Sequence, residues 1–211
     1  MFFIFPRVVS KKECEKLLEY CIKNTEFREA AIMNLGQSDV DVDDAGRVDP
    51  RVRKADIAFV TPDDNEDNIV NEIAWHFLQK ANDIKFNYKF DSFQLVQFAR
   101  YRDGGHYAWH QDVNESAIVP HGESRKLSLT LCLTDPNIYE GGELQFYTGD
   151  RLMSDLKLSD GTIVPRKQII KDKREQGSVI VFDSRDWHRV TPVTRGTRYS
   201  IVCWTIGPNF I

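Results

Sequence analysis

The sequence predicts a mainly β fold of the α+β class, namely a jelly roll of two packed sheets supported by N-terminal helices. Helical periodicity appears in the first part of the chain, and from residue 93 onward short strand-like runs follow one another between clear turns. Helices followed by many strands are typical of a double-sheet sandwich with helices on one side. Because we find no internal repeat and no Pro- or Ser-rich linker, we expect a single domain over 1–211, with 1–90 as a helical and strand support region and 91–207 as the jelly-roll core.

The first predicted helix begins at a capping box. Ser10 and Glu13 have the spacing at which each side chain caps the backbone N–H of the other, and Cys14, Leu17 and Cys21 then fall on one helical face. A second helix is predicted over 66–82, where apolar residues recur at helical spacing.

Strands are predicted after the helices wherever β-branched and aromatic residues form short runs. These runs cover 93–101, 107–112, 126–133, 143–147, 178–182 and 198–206. Turns rich in Gly, Asp and Asn separate them. The acidic, glycine-punctuated segment 35–50 is predicted to be a long surface loop, with a mobile lid that selects basic peptides as the alternative.

The composition is ordinary for a soluble globular protein, with 41% hydrophobic and 28% charged residues. A formal net charge of −4 argues against broad electrostatic binding to nucleic acid or to an anionic membrane. The apolar segment 1–6 is too short for a signal peptide or a membrane span, so we expect a cytoplasmic protein. The four cysteines form no CxxC pair and are predicted to be buried, reduced thiols rather than disulfides or a zinc site.

A His-x-Asp triplet marks the candidate metal site. His110 and Asp112 fall in a predicted strand, where residues two apart point to the same face, so that both side chains are expected to aim at one point. A second histidine from elsewhere would complete the two-His-one-carboxylate face that non-haem iron(II) uses, which leaves coordination positions open. His188, which follows the predicted strand 178–182 and a polar turn, is our candidate for the third ligand.

The remaining histidines are weaker candidates. His106 lies near the triplet but in a tight glycine turn, and it is the main rival of His188. His76 falls in the second predicted helix and His121 follows a proline in a loop, so we expect structural or solvent-facing roles for both.

A candidate carboxylate clamp lies ten residues after His188. Arg198 and Ser200 share one face of the last predicted strand, and a guanidinium fork beside a hydroxyl suits bidentate binding of a carboxylate. The charges also balance, because iron(II), Asp112, a dianionic 2-oxo acid and Arg198 sum to zero. Arg195 is the alternative clamp, although it falls in a predicted turn.

Three ordered motifs resemble the prolyl 4-hydroxylase-like branch of the Fe(II)/2-oxoglutarate-dependent dioxygenases, and in particular the PKHD-type hydroxylases. The motifs begin at Tyr101, Gly141 and His188, and the resemblance covers about 92–207. They read Tyr101-x-x-Gly104-x-x-Tyr107-x-x-His110-x-Asp112, Gly141-Gly142-Glu143-Leu144 and the continuous run from His188 through Arg198 to Ser200.

The resemblance implies a double-stranded β-helix that binds iron(II) through His110, Asp112 and His188. It also implies 2-oxoglutarate and O₂ as cosubstrates, with ascorbate as a supporting reductant. Arg198 then binds the distal carboxylate of 2-oxoglutarate, Tyr101 donates a hydrogen bond to the same molecule, and Ser200 is a helper hydroxyl. The stretch 150–175 is longer and more charged than in a minimal relative, which predicts an extra hairpin or loop.

The activity implied by the resemblance is hydroxylation of an unactivated C–H bond, with release of succinate and CO₂. A prolyl residue in a peptide or protein is the expected substrate. Two alternatives stay open: a non-catalytic jelly roll that binds iron or 2-oxoglutarate as a sensor or interaction module, and a cupin-like zinc or manganese enzyme. The sequence does not indicate the oligomeric state.

Overall fold

The computed structural model describes residues 2–31, 48–60, 69–114, 119, 121–147, 156–157, 163–164 and 175–210. In this part of the chain two α-helices precede most of a set of antiparallel strands. The helices are α1 (Lys11–Asn24) and α2 (Ile69–Ala81). The strands are β1 (Phe2–Phe5), β2 (Arg28–Glu29), β3 (Arg53–Lys54), β4 (Asp56–Val60), β5 (Ser92–Phe93), β6 (Val96–Arg102), β7 (His106–His110), β8 (Glu123–Cys132), β9 (Glu140–Gly141), β10 (Leu144–Phe146), β11 (Leu156–Lys157), β12 (Ile163–Val164), β13 (Val179–Asp183), β14 (His188–Val190), β15 (Val193–Arg195) and β16 (Thr197–Pro208).

Two sheets form the jelly roll. The major sheet has the strand order β1-β13-β8-β16-β6-β4-β2, with β5 also paired to β16, and the minor sheet has the order β10-β14-β7-β3. One apolar cluster joins their inner faces, since it combines Tyr107 and Val190 of the minor sheet with Ala99 and Phe182 of the major sheet. The predicted mainly β, double-stranded β-helix fold with supporting helices is therefore confirmed.

A second apolar core lies between the major sheet and the helices. Leu17 of α1 and Leu78 of α2 pack there against Leu129 of β8 and Ile201 of β16. This arrangement follows from the alternation along the strands, because successive side chains of a strand point to opposite faces of the sheet. The inner face of the major sheet is thus left for the cavity between the sheets.

Both predicted helices exist, with small differences at their ends. The capping box of α1 is confirmed: Glu13 N–H donates to Ser10 Oγ at 3.3 Å, and Ser10 N–H donates to Glu13 Oε2 at 2.7 Å. Helix α2 continues into a π-helical turn, Asn82–Phe86. Asn87, in the left-handed region with a φ of 54°, ends this turn by donating its N–H to the Asn82 carbonyl.

The strands differ from their predicted bounds in instructive ways. The predicted strand 93–101 is two strands, β5 and β6, and the last predicted strand extends to Pro208. The strand predicted over 107–112 ends at His110, so Asp112 is not on it. The N-terminal region also supplies strands to the sheets, since β1 pairs with β13 and β4 pairs with β6. The single-domain division at residue 90 stays a prediction.

Further expectations concern the cysteines, the stretch 150–175 and the acidic loop. All four cysteines are buried free thiols, as predicted. Within the predicted extra hairpin of 150–175, β11 and β12 form an antiparallel pair. Residues 35–47 of the predicted acidic loop, which include Asp41, Asp43 and Asp44, lie outside the described residues. Neither described helix has the length and apolar character needed to cross a membrane.

Candidate metal centre

Two imidazoles and one carboxylate meet in the cavity between the sheets. The ligand atoms of His110, Asp112 and His188 all lie within 4.8 Å of one another. The Nε2 atoms of His110 and His188 are 3.4 and 3.5 Å from the two oxygens of Asp112. Among the described residues, this is the group of potential ligands that the structure brings together.

The tautomer of both histidines is set by backbone carbonyls. Nδ1 of His110 donates to the Ala108 carbonyl, and Nδ1 of His188 donates to the Asp186 carbonyl, each at 2.9 Å. A hydrogen therefore sits on Nδ1 in both rings, which leaves Nε2, on the side of Asp112, as the nitrogen available to a metal ion. A neutral imidazole held in this way is the form that binds a metal ion.

The charge states also suit a divalent cation. Burial, followed by the neighbouring His110, lowers the pKa of His188 from 6.5 to about 4, so this ring is neutral at physiological pH. For Asp112, burial opposes ionisation, but the histidine partners prevail and the pKa of the carboxyl lies below its usual range. The group thus presents two imidazole nitrogens and one carboxylate, a donor set that fits non-haem iron(II).

Asp112 reaches this position by a route different from the predicted one. The predicted strand face would have carried both His110 and Asp112, but the pairing of β7 with β14 ends at the pair His110–His188. Beyond this pair the chain leaves the strand, and Asp112–Asn114 forms a 3-10 helix. Asp and Asn favour such turns because their side chains compete with strand hydrogen bonding. The two ligands converge as predicted, but the strand periodicity is not the reason.

A β-bulge places two rings on the inner face of β7. Between the pairs His188–His110 and Val190–Tyr107, β7 has one residue more than β14. Tyr107 and His110, three residues apart, consequently face the cavity together, with ring centroids 3.5 Å apart and 17° between their planes. Phe182 meets the ring of His188 edge-on at 4.6 Å. Both imidazoles are thus held by aromatic packing as well as by their Nδ1 hydrogen bonds.

The candidate clamp faces the same cavity from the major sheet. The cavity is lined by the three candidate ligands and also by Arg198, Ser200 and Tyr101. Arg198 is 4% exposed, donates from Nη1 to Ser200 Oγ at 3.1 Å, and lies beside Tyr101, its partner in the pairing of β16 with β6. A buried guanidinium with two neighbouring hydroxyl groups suits a carboxylate that enters between the sheets.

The weaker candidates are placed elsewhere. Both ring nitrogens of His106 lie against backbone carbonyls, those of Gly104 and Arg51. His76 is on α2 with its ring edge-on to Phe77, and His121 is in a turn. Arg195, the alternative clamp, forms an exposed ion pair with Glu140 at 2.8 Å.

Several residues of the cavity were not predicted. Arg53 of β3 lies over the Tyr107 ring at 4.5 Å and donates from Nη2 to Gln97 Oε1 at 2.7 Å. No local pattern marks Arg53, because its place depends on the pairing of β3 with β7. Trp204 could have been found, since it lies six residues after Arg198 on the same strand face.

A jelly roll with a His-Asp-His group between its sheets and a buried arginine opposite defines a class of metal-dependent proteins. The profile of the 2OG-Fe(II) oxygenase superfamily matches residues 96–206 of this chain. The chain therefore belongs to the 2OG-Fe(II) oxygenase superfamily.

Similar proteins agree with this assignment. A PKHD-type hydroxylase of Teredinibacter turnerae is 34% identical over 110 residues, which cover 51% of this chain and 41% of the relative. A PKHD-type hydroxylase of Pseudomonas putida is 32% identical over 107 residues, which cover 50% of this chain and 40% of the relative. The chain thus matches less than half the length of these relatives.

Two solved structures share the fold. A Pseudomonas putida prolyl-4-hydroxylase superposes with a TM-score of 0.63 at 20% identity, over 97% of this chain and 91% of the other. A prolyl hydroxylase from Trichoplax adhaerens, in complex with a peptide fragment of the hypoxia inducible factor oxygen degradation domain, gives a TM-score of 0.67 at 16% identity, over 97% and 82%. At these identities the likeness concerns the fold.

Proposed function

We propose that this chain is an Fe(II)- and 2-oxoglutarate-dependent oxygenase that hydroxylates an unactivated C–H bond. The observation that carries the proposal is the convergence of His110, Asp112 and His188 opposite the buried Arg198, inside one cavity of a superfamily fold. When bound, iron with 2-oxoglutarate and O₂ supplies the oxidising power, so that succinate and CO₂ leave and one oxygen atom goes to the substrate.

The side chains of this protein have binding and orienting roles in the proposal. His110, Asp112 and His188 would hold the ion through two imidazole nitrogens and one carboxylate, a set that can leave coordination positions for cosubstrates. Arg198 binds the far carboxylate of 2-oxoglutarate, with Ser200 fixing the guanidinium and Tyr101 donating a hydrogen bond from its hydroxyl. Apolar walls from both sheets exclude water from the reacting atoms.

We further propose that the substrate is a prolyl residue in a peptide or protein. The cavity supports this choice, because Tyr107, Trp204 and Val190 form part of its lining and offer apolar and aromatic surfaces to a small aliphatic ring. The names of the similar proteins point the same way, since the shared fold occurs in prolyl hydroxylases, one of them bound to a peptide.

The first test measures metal binding and the fate of 2-oxoglutarate. Protein purified without oxygen and loaded with Fe(II) should convert 2-oxoglutarate to succinate under air, whereas Asp112→Asn and His188→Ala should bind little iron and release little succinate. His106→Ala is the matched control, because His106 is the nearby histidine outside the site. Iron binding that survives in both Asp112→Asn and His188→Ala would refute the proposed site.

The second test identifies the substrate. Candidate peptides incubated with Fe(II), ascorbate and 2-oxoglutarate should gain one oxygen atom by mass spectrometry, and the gain should vanish when their proline is replaced by alanine. Oxygen found on another residue would refute the prolyl substrate while leaving the oxygenase proposal intact. Bound iron and 2-oxoglutarate without succinate release at any peptide would instead indicate a non-catalytic binding module.

A further inference from the structure

Next to Asp112 lies a pair of buried hydroxyl groups. Ser128 of β8 donates from Oγ to Asp112 Oδ2 at 2.6 Å, and Ser128 Oγ is 2.9 Å from Ser184 Oγ. Both serines have no exposed surface. They belong to the major sheet and its following turn, whereas the candidate ligands are carried by the minor sheet and its turn.

The direction of both hydrogen bonds follows from counting hydrogens. An ionised carboxylate only accepts, and a serine hydroxyl has one hydrogen. Since Ser128 gives its hydrogen to Asp112, the hydrogen between the two serines must come from Ser184. The chain therefore runs from Ser184 to Ser128 to Asp112, and each donor strengthens the next.

The backbone of Ser184 ties the same segments together. The Val113 N–H, next to Asp112, donates to the Ser184 carbonyl at 2.9 Å, and the Ser184 N–H donates to the Lys126 carbonyl at 3.1 Å. Ser184 thus contacts both the turn that carries Asp112 and strand β8, and it is the first residue of the turn that precedes His188.

We propose that Ser128 and Ser184 are positioning residues for metal binding: their hydroxyl chain fixes the plane of the Asp112 carboxylate and occupies one lone pair of Oδ2. A carboxylate held in this way offers the ion a single orientation, on the side where the two Nε2 atoms lie. This inference rests on the proposed metal site. In this role the two serines act through Asp112 and do not contact the substrate.

Mn(II) binding to the metal-free protein tests the proposal without turnover. Ser128→Ala should weaken Mn(II) binding about 10- to 100-fold, the usual effect of removing a hydrogen-bond partner of a metal ligand. Ser184→Ala should weaken it less, because Ser128 still donates. Ser124→Ala is the matched control, since Ser124 Oγ lies buried on the same strand without a hydrogen-bond partner, and this variant should bind Mn(II) like the unmodified protein.

Bound Co(II) provides the second readout, because its visible absorption spectrum reports ligand number and geometry. The spectrum should change in Ser128→Ala and stay unchanged in Ser124→Ala. If Ser128→Ala fails to fold by circular dichroism, Ser128→Cys, which keeps the shape with a weaker donor, and Ser184→Ala decide the question. Mn(II) affinity and Co(II) spectra that are unchanged in the folded serine variants would overturn the positioning role. An unmodified protein that binds neither ion would overturn the metal site itself.

Discussion

Arg198 illustrates how a single residue can be tested apart from the fold. Its guanidinium is buried beside Ser200, so a carboxylate that binds there gains charge-assisted hydrogen bonds at a buried position. We expect Arg198→Ala to weaken 2-oxoglutarate binding about 10- to 100-fold. Arg198→Lys keeps the charge but loses the two-pronged guanidinium, so its affinity for 2-oxoglutarate should lie between those of Arg198→Ala and the unmodified protein. Isothermal titration of the Mn(II)-loaded protein with 2-oxoglutarate would measure both.

Arg195→Ala is the control for this prediction. Arg195 belongs to the same stretch of chain but forms an exposed ion pair with Glu140, and such pairs contribute little. Its removal should leave 2-oxoglutarate affinity unchanged. If Arg195→Ala weakened binding as strongly as Arg198→Ala, the clamp assignment would fail.

One charged residue of the cavity wall, Arg53, is missing from the charge balance that we drew from the sequence. Iron(II), Asp112, 2-oxoglutarate and Arg198 balance to zero, but Arg53 adds a second buried guanidinium to the cavity wall. Arg53 bonds to Gln97 and lies over Tyr107, which in turn stacks on His110. An arginine whose position depends on a two-residue strand cannot be placed from local sequence alone.

At the scale of the elements, the absence of a side chain at Gly142 allows the Gly141-Gly142 turn to pack closely against the side chain of Arg198. Gly142 has a φ of 59°, and a Cβ at this position would come within 2.9 Å of Arg198 Cδ. We expect Gly142→Ala to displace the arginine stem and to weaken 2-oxoglutarate binding in addition to any loss of stability. The same titration, together with a thermal melt, would separate the two effects.

Gly122→Ala controls for backbone strain in this experiment. Gly122 also has a positive φ, 88°, but nothing lies within 4 Å of its Cβ position. Both variants should lose stability, since alanine is strained in this region, whereas only Gly142→Ala should lose affinity. Equal 2-oxoglutarate affinity in the two variants would show that the contact with Arg198 has no importance.

Much of the fold and the centre of the site could be predicted because the signals are local. The capping box of α1 and the alternation along the strands each lie within a few residues, and the ordered motifs predicted that His110, Asp112 and His188 would meet. Strand alternation did not predict the position of Asp112, which lies on a turn. What could not be predicted depends on pairing between distant segments. The end of β7 depends on where β14 begins, and the contact of Ser128 with Asp112 depends on two sheets facing each other.

At the scale of the whole molecule, the buried thiols predict how stability responds to alkali. Burial raises the pKa of Cys14, Cys21 and Cys203 from 9.0 to about 12. Between these values the unfolded chain releases thiol protons that the folded chain retains, so the free energy of unfolding should fall as the pH rises from 9 toward 12. Urea unfolding at about pH 7 and about pH 10 would measure the loss.

Alkylation provides an independent check on the same thiols. Iodoacetamide attacks thiolates, and groups with this pKa carry almost none at neutral pH. The native protein should therefore be labelled at these positions only as fast as it unfolds, and labelling should become rapid in urea. Rapid modification of Cys21 or Cys203 in the native protein would contradict the prediction.

The division of the site between two sheets has a consequence for which molecules it accepts. The candidate ligands belong to the minor sheet and the turn after β7, whereas Arg198 belongs to the major sheet. A diacid that joins the ion to the guanidinium must bridge the gap between side chains of the two sheets, and close-packed sheets keep that gap nearly constant. Under the proposed assignment this fixed gap selects the diacid by its length. A 2-oxo diacid one carbon shorter than 2-oxoglutarate would leave one end unbound. A diacid one carbon longer would have to bend or force the two sheets apart.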